Sequence, residues 1–131
     1  MKTFFILLIS LSACWLNTEP SLTESIDTQI LVGHWKLDMS PQDSTDSNFA
    51  MMHIKKVTAS SFTGDFYRKG VSIKNAQINT QTGKLYGALT SGDNSGTYNT
   101  TFLYQDGMLY GTTHAIDKAF LSVWTATKIT E

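Results

Sequence analysis

From residue 33 onward, apolar side chains recur at every second position in a series of short segments, each closed by Gly, Asp, Asn or Ser. A period of two is the signature of strands with one wet face. Residues 33–39 set Trp35, Leu37 and Met39 against His34, Lys36 and Asp38, which predicts the first strand with Trp35 inward and His34 toward solvent. Further segments at 49–57, 61–67, 71–79, 84–91, 97–104, 108–114 and 119–129 bring the strand count to eight. Gly64, inside the third, predicts a bulge or a close approach of backbones. Turn signals spaced roughly eight to twelve residues apart, with no helical stretch between them, point to an all-β sandwich or barrel.

The connections fix the order. Asp106-Gly107 is a two-residue hairpin signal whose glycine tolerates the positive φ of a type I′ turn. Thr82-Gly83, Lys69-Gly70 and Asp93-Asn94-Ser95-Gly96 mark further tight links, and none leaves room for a parallel crossover. Eight antiparallel strands in about a hundred residues remove their exposed edges by closing on themselves, so the expected fold is a small up-and-down barrel. The interior of such a barrel is wide enough for side chains or for one small ligand.

Ahead of the strands the pattern changes character. Lys2 and the apolar run 4–11 form the charged start and short hydrophobic core of an export signal, far below the ~20 residues a spanning helix needs. The run Leu11-Ser12-Ala13-Cys14 then resembles the lipobox of bacterial lipoproteins, which implies that residues 1–13 are removed and that Cys14 is acylated. Cys14 is the one cysteine in the chain, so acylation leaves no unpaired thiol and no disulfide is open to the mature chain. Two or more acyl chains hold a protein on a bilayer durably, at about 0.8 kcal/mol per buried methylene. The segment 14–31 is rich in Ser, Thr, Glu and Asn and reads as a flexible tether with a reach of about 20–25 Å. Leu22, Ile26, Ile30 and Leu31 allow one amphipathic turn within it. The barrel domain is then 32–131.

Charge removes some partners from consideration. Counted from Cys14, nine Lys and Arg face eleven Asp and Glu, and Lys55-Lys56 and Arg68-Lys69 are the only basic pairs. Nothing neutralises a row of phosphates, so a nucleic-acid partner is not expected. Trp15 follows the lipidated cysteine, and in a Gram-negative host the absence of aspartate there implies the outer membrane.

Gly33-His34-Trp35, opening the first strand, resembles the Gly-x-Trp signature of the calycin superfamily of lipocalin and avidin-type barrels. In that superfamily the tryptophan plugs the closed end and a basic residue of the last strand packs over it. The resemblance gives those barrel-closing roles to Gly33, Trp35 and Lys128. A looser likeness joins Tyr110-Gly111-Thr112-Thr113-His114-Ala115 and the run from Phe120 to Lys128 to the closing hairpin of transferrin-binding-protein-type surface lipoproteins.

Candidate chemistry is sparse. His34, His53 and His114 fall on three separate strands without ligand-pair spacing, so no metal site is expected. Asp93 and Asp106 lie in turns, where Asp bonds its own backbone, and no nucleophile elbow is present, so no catalytic residue is expected and the chain is read as a non-enzyme without a cofactor. The run Asp43-Ser44-Thr45-Asp46-Ser47-Asn48 lacks the glycine and closing glutamate of a calcium loop. Tyr98, Phe102 and Tyr104 share one face of the sixth strand, and the alternation Met108, Tyr110, Thr112, His114 is expected to meet them from the seventh. With Trp124 inward on the eighth, the expected ligand-binding set is Tyr98, Phe102, Tyr110, His114 and Trp124, beside small residues at Gly87, Ala88, Thr100, Gly111 and Thr112. The expected function is a lipid-anchored envelope protein that binds a small hydrophobic or amphipathic ligand in its barrel. The alternative is a protein-recognition module, an envelope inhibitor or surface receptor component, acting through the barrel exterior and loops. An open, dry cavity at the rim favours the first, and a barrel filled by its own side chains favours the second.

Overall fold

A computed structural model of the chain describes residues 25–130 together with Cys14, which is exposed. The signal segment 1–13, Trp15 and most of the tether lie outside the described residues. Eight strands follow one another as β1 (Gly33–Asp38), β2 (Phe49–Val57), β3 (Phe62–Tyr67), β4 (Lys74–Asn79), β5 (Leu85–Asp93), β6 (Gly96–Gln105), β7 (Met108–Ala115) and β8 (Phe120–Lys128). They form one antiparallel sheet in the order β3-β2-β1-β8-β7-β6-β5-β4, so the first and last strands pair and the sheet curls into a nearly closed up-and-down barrel.

Local chemistry explains the elements. Asp106 and Gly107 both take positive φ, 51° and 82°, the geometry of a type I′ turn, and this pairs Gln105 with Met108. At Gly64 an added Cβ would lie 1.8 Å from the His53 carbonyl oxygen, and the β2–β3 register slips beside it between Ile54 and Lys56. The extra residue, Lys55, is on β2, and such a bulge sharpens the twist of the strand that carries it. The remaining opening lies between β3 and β4. Few bonds cross it: Phe66 N–H to Val71 O and Ile73 N–H to Gly64 O, each at 2.8 Å, with Ile78 N–H reaching Ser60 O at the far end.

One end of the barrel is shut. A 3-10 turn, η1 (Thr28–Leu31), opens with Asp27 accepting the Gln29 N–H, and buries Leu31 completely beneath the strands. The amphipathic turn therefore belongs to the packed domain and not to a free tether; Leu22 lies outside the described residues. Trp35 is 1 % exposed, and its indole N–H donates to the Leu31 carbonyl at 2.8 Å. The Lys128 ammonium sits 5.5 Å from the Trp35 ring centroid and donates to the Ile30 carbonyl at 2.8 Å. Gly33 lies under this stem, because a Cβ there would meet Lys128 Cε at 2.7 Å.

Above this floor the interior is packed. Leu37, Met52, Ile54, Leu85, Leu89, Phe102 and Leu109 are buried, and Phe62 tilts against Phe102 and Phe66 against Trp124 with centroids 5.9 and 6.1 Å apart. Five register neighbours cross the sheet as Ile78, Gly87, Phe102, Gly111 and Trp124. Large and small alternate along that row. The Phe102 and Trp124 rings lie over the two glycines, where an added Cβ would come within 2.2 Å of each ring. The space left by small residues at Gly87 and Gly111 is therefore filled by neighbouring aromatics, not held open for a ligand.

Candidate functional site

The inward face of each strand is set by hairpin register, and this redistributes the expected ligand-binding set. Tyr98, Thr100, Phe102 and Tyr104 pair with Ala115, Thr113, Gly111 and Leu109, and paired residues share a face. Leu109, Gly111, Thr113 and Ala115 are accordingly buried, whereas Tyr110 is 45 % exposed and His114 faces solvent. The expectation that Met108, Tyr110, Thr112 and His114 point inward is thus corrected: Tyr110 pairs with Leu103, and His114 with Asn99, on the outer wall. The two-residue turn carries the reason, since pairing Gln105 with Met108 forces Tyr104 opposite Leu109. Trp124 is inward at 1 % exposure, but together with Phe102 it forms packed core below the opening. Of the five, Tyr98 alone stands at the rim of the open end.

That open end is a basin of about 840 Å³ at the mouth opposite η1. Its walls come from strand ends that meet there: Phe66 and Tyr67 closing β3, Tyr98 opening β6, Thr113 and Ala115 closing β7, and Phe120 and Ser122 opening β8. Its depth ends on a small polar layer. Trp124 Nε1 donates to Thr113 Oγ1 and Thr113 bonds Thr100, both at 3.0 Å, while the buried Ser91 hydroxyl, in register with Tyr98, has no hydrogen-bond partner among the described residues. Small hydroxyl residues at this level keep the top of the barrel open where bulky ones fill the bottom.

Electrostatics at the rim are organised around Asp93. It accepts from the Ser95 hydroxyl, the Tyr67 hydroxyl and the Ser95 N–H, and Arg68 lies 3.1 Å away. These donors hold its carboxyl well below the ordinary aspartate range, the Ser95 hydroxyl most of all. Its bond to Asp93, with burial, pushes the Tyr67 hydroxyl up. Tyr67 packs edge-on against Tyr98 at 5.6 Å, and Tyr98 Oη is 2.7 Å from Ser95 Oγ. The opening in the sheet lies between β3 and β4, and this network crosses it at the mouth by joining Tyr67 at the end of β3 to Asp93 at the end of β5, the strand next to β4. Asp117 is engaged as well, accepting the Thr97 N–H at 2.9 Å. The charged group that does line the basin is Lys118, its ammonium 3.4 Å from Tyr98 Oη and 5.8 Å from that ring's centroid.

His34 is half-buried on the outer wall, stacked on His53 with centroids 3.8 Å apart, a consequence of their direct pairing across β1 and β2. Among the described residues no three side chains of His, Cys, Asp or Glu converge as a metal site would need. Sequence reasoning missed Phe66, Tyr67, Asp93, Lys118 and Phe120. Tyr67 ends a strand and Lys118 sits in a 3-10 turn, η2 (Ile116–Lys118), so neither carries a local pattern that marks a rim. No protein-family model matches the chain, and no curated protein or solved structure matches it significantly.

Proposed function

We propose that the chain is a non-catalytic, lipid-anchored protein of the bacterial envelope whose barrel mouth binds one small amphipathic ligand, an apolar body carrying an anionic or strongly polar head. The observation that carries this reading is the basin itself. Its volume falls within the roughly 300–1,000 Å³ of small-molecule sites, and Phe66, Tyr67, Tyr98 and Phe120 give it apolar walls beneath a single cation. Lys118 lies against the Tyr98 hydroxyl and ring, so an anion bound at the rim gains a charge-assisted partner there. Anchoring through Cys14 rests on the Leu11-Ser12-Ala13-Cys14 run, and the outer membrane is the proposed destination in a Gram-negative host.

The filled lower barrel favours the second reading, in which a protein partner is recognised at the exterior. Leu121 and Val123, each exposed by more than half, carry that surface from the edge of the basin onto the outer wall. Titration of the full chain in detergent with dodecanoate, followed by amide chemical shifts, separates the two. Mouth binding shifts Tyr98, Thr113 and Ser122 in a saturable way, and K118A weakens it about tenfold, as loss of one charge-assisted bond requires. No saturable shift at Tyr98, Thr113 and Ser122, or binding indifferent to K118A, would overturn the mouth reading.

A further inference from the structure

The wall formed by β4 to β8 carries a trough that shares only Val123 with the mouth basin. The row Ile78, Gly87, Phe102, Gly111 and Trp124 turns its side chains inward, so its outer side is bare backbone between two outward rows. One bank is Tyr86, Leu103 and Tyr110, and the other is Ala88, Thr101, Thr112 and Val123. The trough runs across the strands, with a volume of about 510 Å³. Five strands at about 4.8 Å spacing make it about 19 Å long.

Three features limit what fits. No residue lining the trough is charged, so the complementary ligand is uncharged as well. The backbone beneath it is already paired in the sheet ladders, which leaves no free edge for a peptide strand to join. Its floor and banks are mainly apolar, the Thr101 and Thr112 hydroxyls bond each other at 3.0 Å, and Gln77, Asn79 and Thr125 stand at its two ends. Tyr86 and Tyr110 are 42 % and 45 % exposed and stand on either side of Leu103 in register. Two strand spacings separate them, about 10 Å, and that is about the disaccharide repeat of an extended β-1,4-linked glycan. In such a chain successive sugars flip by half a turn, so every second ring offers the same C–H-rich face to one bank. The negative π face of a tyrosine attracts those C–H bonds, which suits the mainly apolar trough, and the sugar hydroxyls at its ends meet Gln77 and Asn79 on one side and Thr125 on the other.

We propose that this trough binds an uncharged, extended β-1,4-linked polysaccharide strand, with Tyr86 and Tyr110 stacking on alternate sugars. The full chain in detergent is titrated with cellohexaose and chitohexaose and with their shorter oligomers, read by calorimetry and by amide shifts at Thr101, Thr112 and Val123. Binding of at least one series is expected, strengthening up to about four sugars, the number that about 19 Å accommodates, and level beyond. Tyr86→Ala and Tyr110→Ala are each expected to weaken it about tenfold, whereas Tyr86→Phe and Tyr110→Phe retain most of it and K118A at the mouth leaves it unchanged. Failure of both hexamers to bind at millimolar concentration overturns the proposal, as does binding indifferent to Tyr86→Ala with Tyr110→Ala. Sedimentation showing a dimer that the same substitutions dissolve overturns it too, making a second copy the occupant.

Discussion

At the scale of single residues, the barrel depends on contacts that admit no extra atom. Gly87→Ala and Gly111→Ala drive a methyl into the Phe102 and Trp124 rings, so each is expected to cost about 1–3 kcal/mol in denaturant unfolding, the usual penalty of overpacking. Trp35→Ala removes both the core of the closed end and the donor to the Leu31 carbonyl, with an expected loss of about 3–5 kcal/mol. The rim network responds to pH at both extremes. Asp93 is depressed on folding, so its stabilisation is present above the ordinary aspartate value of 3.8 and fades as pH falls below it toward the lower folded value. Tyr67 is raised, so its contribution is present below the ordinary tyrosine value of 10.0 and is lost as pH climbs past it toward the higher folded value. Asp93→Asn is therefore expected to flatten the acid limb of a stability-versus-pH curve while leaving neutral-pH folding cooperative. Trp35 was legible as inward because it alternates with His34 and Lys36, whereas on strand eight Trp124 competed with Leu121 and Val123 for the interior until pairing with Gly111 settled it. Tyr110 and His114 were not, since an alternation of Met, Tyr, Thr and His is as plausible inward as outward until the turn fixes which tyrosine meets which leucine.

Among the elements, strands and turns were legible nearly in full, since period-two patterning and turn glycines are local properties. The close backbone approach at Gly64 in the third strand and the Asp106-Gly107 turn are where sequence expected them, with the extra residue of the bulge, Lys55, on the facing second strand. The packed 3-10 turn at Thr28–Leu31 was visible as helical spacing, but its docking depends on partners far along the chain, the Val57 carbonyl held by Gln29 and the Lys128 ammonium. The opening between β3 and β4 was invisible, because closure between β1 and β8 leaves the weakest seam elsewhere. Its consequence is dynamic. Native-state hydrogen exchange is expected to open the β3–β4 margin first and the β6–β7 and β7–β8 ladders last, and equal protection around the barrel would show the seam to be sealed.

The whole molecule is polar from end to end. Chain entry, η1, Trp35 and Lys128 occupy the shut end, while the basin with Tyr98, Phe120 and Lys118 opens at the other. Cys14→Ser is expected to release the protein from membranes into the soluble fraction with ligand binding intact, and retention on the membrane would remove the anchor from the account. The site was only partly readable in sequence because a barrel mouth is assembled from strand ends and loops contributed by distant segments; Phe66, Tyr98, Lys118 and Phe120 share no motif. The most direct measurement is native mass spectrometry of the full-length protein extracted from its own membrane, with K118A alongside. The expected result is a chain beginning at an acylated Cys14 that retains one small non-covalent organic ligand, with the ligand reduced or lost in K118A; a chain that carries no ligand, or one whose ligand is indifferent to Lys118, would contradict it.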